Sequence, residues 1–231
     1  MAPHPRGRTP GPPLRPSSRA AASIGVTAAS GVERGIPTAT GAGHNGGVSA
    51  ERLTGQLLVA TPLIEEGIFH RAVILVLHHD DEGAQGVVLN KPLLAEVEAV
   101  LPGWGRSTGG SSTLFQGGPV QLDSALGLAR ISVTRVPGVR PIVDGVGVVD
   151  LDADPAPIGR RVGAVRIFVG YAGWSAGQLE GELRTGSWYA VDADPWDVFS
   201  YEPERLWADV LRRQHGPLSW VAFLPEDPSV N

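Results

Sequence analysis

Cysteine is absent from the 231 residues. That single absence excludes a disulfide framework, a thiolate zinc site and a cysteine nucleophile, and it is compatible with a reducing, cytoplasmic setting. Methionine occurs once, as Met1, and lysine once, as Lys91. Long apolar runs are also missing. The strongest one, Ala72 to Leu77 in AVILVL, is strand-sized, whereas a membrane-spanning helix needs roughly 18 apolar residues or more. No membrane partner is therefore expected. Positive charge is scarce beyond residue 50. The first fifty residues hold five arginines (Arg6, Arg8, Arg15, Arg19 and Arg34) against Glu33, a net of +4, and the rest hold 14 basic and 23 acidic residues, a net of −9. An acidic body repels phosphate backbones, so direct nucleic-acid binding by the folded part is not expected.

What the first fifty residues do contain is proline, glycine, alanine, serine and arginine. Such a composition buries too little apolar surface to offset the entropy of ordering, and it reads as a disordered tail. An arginine-rich, acid-poor transit peptide shares that composition but needs an amphipathic periodicity that is missing here. With Met1 the sole methionine, translation from near Val48 is a third reading. Residues 51–231 then form one α+β domain large enough to bury a core.

Within it, Gln56–Ala60 and 72–79 read as strands, the second apolar on both faces and hence central. Asp80 to Gly83 is a turn and 86–90 the returning strand. An amphipathic helix is expected over 93–101. Further strands are expected over 114–116, 125–132, 146–150 and 164–170, and a helix over 176–184. Strands over 187–192 and 218–223 are expected to flank a helix with Pro203 and Glu204 in its first turn, Leu206, Trp207, Val210 and Leu211 on its apolar face, and Gly216 as its stop. Strands arriving mostly without intervening helices argue against a doubly wound parallel sheet.

Four segments invite a chemical reading. Gly173-Trp174-Ser175-Ala176-Gly177 spells G-x-S-x-G, the nucleophile-elbow pattern of serine hydrolases, with His215 as the downstream base and Asp192, Asp194, Asp197 or Asp209 as the acid. Against this, the sheet is not the parallel stack that an elbow requires, and a histidine in a helix's last turn has a capping role of its own. His78 and Asp80 with His215 have the ligand types of a facial metal triad; His78 and His79, as strand neighbours, point to opposite faces. Gly145-Val146-Gly147 begins like a dinucleotide fingerprint but opens no helix that would hold a pyrophosphate. The loop from Gly103 to Ser112 lacks the G-K-[ST] ending of a phosphate loop.

Several segments taken together resemble the YqgE/AlgH family of bacterial proteins. They are Gly55 to Pro62, Phe69-His70-Arg71, His79-Asp80, Gly83, Gly86 to Pro92, Gln116-Gly117-Gly118-Pro119-Val120 and, most strongly, Gly170 to Glu180. The likeness runs in order from Leu53 to Phe223 and leaves out the tail; at Glu65-Glu66-Gly67 the chain departs from the Asp-Pro or Asn-Pro pair common in the family. The resemblance implies a complex α+β fold, a mostly antiparallel, partly closed and bifurcated sheet surrounded by helices. It also implies a family with no established enzymatic activity, some of whose members are described as regulators of transcription. Family members commonly carry glycine in place of Ser175, which argues against that serine as a nucleophile, and His78 has no usual counterpart.

The expectation is thus a cytoplasmic, non-enzymatic binding or regulatory protein for a small molecule or a protein partner, without metal or cofactor. The alternatives are a serine hydrolase using Ser175 and His215, and a metal-dependent enzyme using His78, Asp80 and His215. The expected ligand site joins three loops through Asn90, Lys91, Gly117, Gly118, Pro119, Tyr171, Gly173, Trp174, Gln178 and Glu180. There the glycines would admit close backbone approach and Asn90, Gln178 and Glu180 would supply polar groups.

Overall fold

The computed structural model describes Thr27–Ala28 and residues 53–107, 112–133 and 135–225. Thr27–Ala28 is a two-residue strand, β1; the rest of the expected disordered tail lies outside the described residues.

The run VILVLHHD forms β3 (Val73–Asp80), with β2 (Gln56–Ala60) antiparallel on one side and β4 (Gly83–Val88) on the other. Both faces of β2 and β3 are buried because two different helices cover them. Leu57, Val59, Val73 and Leu75 pack with Leu206, Trp207, Val210 and Leu211, the apolar face of a later helix. Leu58, Ala60, Ile74 and Val76 pack on the opposite side with Trp174, Leu179 and Trp188. This two-sided burial is why these strands read as continuous apolar runs rather than alternating ones.

The chain then forms β5 (Pro92–Glu96) and a single helical turn, α1 (Val97–Val100), where a helix over 93–101 was expected. Pro92 pairs with Phe115 and Glu96 with Thr113 of β6 (Thr113–Gln116), so edge pairing overrides the helical periodicity. A second set of antiparallel strands follows: β7 (Val120–Arg130), β8 (Val139–Val143) and β9 (Val146–Val149). β8 escapes a sequence reading because Pro141 interrupts it, yet β8 is the terminal strand of the order, where proline is tolerated. Ile158 of α2 (Pro155–Gly159) joins Trp104, Ala129 and Ile167 in the core beneath these strands.

β10 (Ala164–Ser175) joins the two sets. From Ala164 to Val169 it pairs antiparallel with β7, and at Phe168 and Val169 also parallel with β6; from Ala172 to Ser175 it pairs with β4 instead. The register breaks between Val169 and Tyr171, at Gly170, whose φ is 69°. A Cβ there would lie 2.7 Å from the Gly118 carbonyl oxygen and 2.8 Å from that of Val120, so only glycine lets the strands divide at this point. The result is the expected mostly antiparallel, bifurcated α+β sheet.

After β10 come α3 (Gln178–Arg184), β11 (Trp188–Asp192) at the outer edge beside β2, α4 (Pro195–Val198), a 3-10 turn at Pro203–Arg205, α5 (Leu206–Arg212) and α6 (Leu218–Val221). The α6 segment was expected as a strand. Gly216 turns the chain at φ 70°, the N–H groups of Ser219 and Trp220 bond back to the carbonyls of Gly216 and Pro217, and the segment folds as a helix beside α5.

Candidate functional site

The outer half of β10 and the β3–β4 hairpin share one polar face. Ser175 pairs with Gly83, which pairs with Asp80; Gly173 pairs with Gln85, which pairs with His78. A bulge between Val76 and His78 resets the alternation of β3 at this point. Opposite stands the first half of β7, where Gln121 adopts φ 50°. Between the two walls lies a cleft of about 760 Å³ whose lining includes His78, Asp80, Gln85, Gln121, Tyr171 and Ser175. Asp80 and Glu82 are its acidic groups, and among the described residues neither lysine nor arginine lines it.

Asp80 is held ionised. Its carboxyl lies below the usual carboxylate value because the Glu82 N–H donates to it at 2.9 Å and His78 Nε2 lies 2.8 Å away. The cleft thus offers a fixed negative charge and several uncharged donors and acceptors, which suits a neutral or cationic polar ligand and disfavours a phosphate.

The structure places the expected site residues in three positions. Tyr171, Gly173 and Trp174 line the cleft, although the Trp174 indole packs in the core against Trp188, with ring centroids 6.2 Å apart. Asn90, Lys91, Gly117, Gly118 and Pro119 lie where the backbones interlock: the Gln116 N–H donates to Lys91 O, the Gly117 N–H to Val169 O and the Val88 N–H to Gly117 O, each at 2.8 Å. Asn90 is buried, accepts the Val73 N–H and donates to Arg71 O, while Lys91 donates to His70 O. These five do not line the cleft. Nor do Gln178 and Glu180 of α3. Gln178 accepts the Ser175 N–H at 3.0 Å and Glu180 lies 3.0 Å from His79 Nε2.

Ser175 ends a strand and is followed by a left-handed Gly177 and α3, so the local path resembles an elbow, but the strand is antiparallel to β4. His215 follows α5, is exposed and does not line the cleft. The cleft instead holds Ser175 with the His78–Asp80 pair. Ser175 and Asp80 occupy one row two strands apart, a Cα separation of about 10 Å. His78 pairs one row further, and among the described residues no hydrogen bond joins it to the Ser175 hydroxyl. Among the described residues no group of three His, Asp or Glu side chains is placed to hold a metal ion.

Gln85, Gln121 and Ser124 were not singled out from the sequence. The first is legible as an alternate residue of the hairpin; the other two depend on the placement of β7, which no motif announces.

A profile of the AlgH-like family, DUF179, matches residues 57–219. The chain belongs to this family. Among its relatives, a Streptomyces coelicolor UPF0301 protein is 51% identical over 192 residues, covering 81% of this chain and 100% of the relative. A Mycobacterium tuberculosis UPF0301 protein is 44% identical over 188 residues, covering 79% and 93%. Of solved structures, the crystal structure of a Corynebacterium diphtheriae protein superposes with a TM-score of 0.72 at 32% identity, covering 76% of this chain and 94% of that one. The solution structure of AlgH from Pseudomonas aeruginosa superposes with a TM-score of 0.56 at 24% identity, covering 78% and 98%, and shares the fold. Among the described residues of this AlgH-like chain no helix is long and apolar enough to cross a membrane.

Proposed function

We propose that this AlgH-like protein is a cytoplasmic binding protein with a regulatory rather than catalytic role, and that the cleft between the β3–β4 hairpin and β7 is its ligand site. The observation that carries the reading is the lining: a cleft of about 760 Å³, of ligand-binding size, whose acidic groups are Asp80 and Glu82 and which, among the described residues, no lysine or arginine lines. The ligand class that fits is a neutral or cationic polar group, such as the arginine side chain and amides of an extended peptide.

An amide NMR titration of the full chain with an arginine-containing tetrapeptide, and separately with ATP, tests this. The peptide is expected to shift Gln85, Ser124, Tyr171 and Ser175 selectively and ATP to leave them unmoved. Shifts at these residues with ATP but not with the peptide would contradict the reading.

A further inference from the structure

We propose that the first half of β7 is a strand-docking edge whose occupant is the chain's own N-terminal segment around Thr27–Ala28, laid along the rim of the cleft. β9 pairs with β7 only from Gly127 to Arg130. From Val120 to Leu126 β7 runs on without it, leaving a length of backbone edge of the kind that recruits extended chains. β1 takes up that edge in parallel, Thr27 against Ser124 and Ala28 against Ala125. Ser124 and Ala125 both line the cleft.

Two features of the sequence favour this occupant. Ile24, Val26 and Thr27 are the most closely set β-branched residues of the first fifty, so strand propensity peaks at the paired segment. The charges are also complementary. Arg19 and Arg34 flank the segment in a stretch of net +4, whereas the rest of the chain carries −9, with Asp80 and Glu82 in the cleft and Asp123 exposed on β7 beside Ser124. Attraction between opposite net charges raises the local concentration of the segment at this edge. A consequence, which rests on the cleft being the ligand site, is that the docked segment and a ligand compete, so the N-terminal region sets the apparent affinity.

Hydrogen–deuterium exchange on the full chain tests the docking without any ligand. Wild type is compared with a Thr27→Pro/Ala28→Pro variant, in which whichever of the two N–H groups faces β7 is lost, and with Arg15→Ser/Arg19→Ser/Arg34→Ser. Exchange over 120–126 is expected to quicken by up to about tenfold in the proline variant, the ratio that one or two net backbone bonds sustain. It is expected to quicken less in the arginine variant, with β2 and β3 amides unchanged as the internal control. Equal exchange over 120–126 in wild type and the proline variant would overturn the docking. Protection that grows with protein concentration would overturn it in favour of a second copy. A protein that binds no peptide in the NMR titration still reports docking here, so the two readings fail separately.

Discussion

His79 Nε2 lies 3.0 Å from Glu180 Oε1 although the two residues are 101 positions apart. His79 is only 4% exposed, and its Nδ1 accepts the Leu53 N–H at 3.1 Å. Accepting at Nδ1 fixes the neutral Nε2–H tautomer, which then donates to the Glu180 carboxylate. One ring thereby ties Leu53, ahead of β2, to α3. Replacing it by alanine leaves the Leu53 N–H without its partner, and His79→Ala is expected to cost about 1–3 kcal/mol in denaturant unfolding.

The same contact has a pH signature. Glu180's carboxyl lies below its usual value, first through its own backbone N–H and then through His79. A depressed carboxylate contributes stability that is present above its ordinary value of 4.5 and is lost as pH falls through the folded value. The stability difference between wild type and Glu180→Gln, measured by denaturant titration, is expected to be full at pH 6 and to shrink as pH falls below about 4.5.

The difference between what was and was not legible in the sequence is physical. β2 and β3 were readable because burial on both faces writes continuous apolar residues into the chain, and the α5 face because Leu206, Trp207, Val210 and Leu211 recur at helical spacing. The turn to helix at Leu218 was not, since a four-residue apolar run has no period of its own. At the site, Tyr171 and Gly173 were readable from a glycine-rich signature. Gln121 and Ser124 face them only because β10 changes partners at Gly170, a tertiary event.

Gly118 and Gly177 separate two uses of glycine. A Cβ on Gly118 would fall 2.1 Å from the backbone carbon of Tyr171, whereas Gly177 has φ 72° and open space around it. Thermal unfolding is expected to show Gly118→Ala losing more than about 3 kcal/mol, the upper end of overpacking costs. Gly177→Ala should lose about 1–2 kcal/mol, the cost of a left-handed non-glycine residue.

Arg166 is 6% exposed, bonds Ser200 O through Nη2 at 2.8 Å and lies over the Phe115 ring at 4.3 Å, yet its Nη1 has no hydrogen-bond partner among the described residues. Burial pulls its guanidinium down to about 10. A base whose folded value is lowered costs stability while charged, and that cost is relieved as pH rises above about 10. Arg166→Met is therefore expected to leave stability unchanged or raise it by up to ~2 kcal/mol near neutral pH. A loss of several kcal/mol in denaturant unfolding would show that the stacked guanidinium is a net stabiliser.

Ser175 shares the cleft with His78 and Asp80, but among the described residues no hydrogen bond joins its hydroxyl to either. A fluorophosphonate probe is expected to leave it unlabelled across pH 6–9. Labelling that disappears in both Ser175→Ala and His78→Ala would install a nucleophile in this cleft and replace the binding reading with a catalytic one.

The most direct test of the cleft as a ligand site is native mass spectrometry of the full chain, purified from its own host, beside a Gly173→Trp variant. Gly173 is exposed in the cleft lining, and the nearest heavy atom to an added Cβ is Tyr171 Cε2 at 3.3 Å, so the indole would fill the cleft from its floor. The account predicts a bound neutral or cationic species on the wild-type chain that is absent from the variant. An identical bound species on both chains would place the site elsewhere and contradict it.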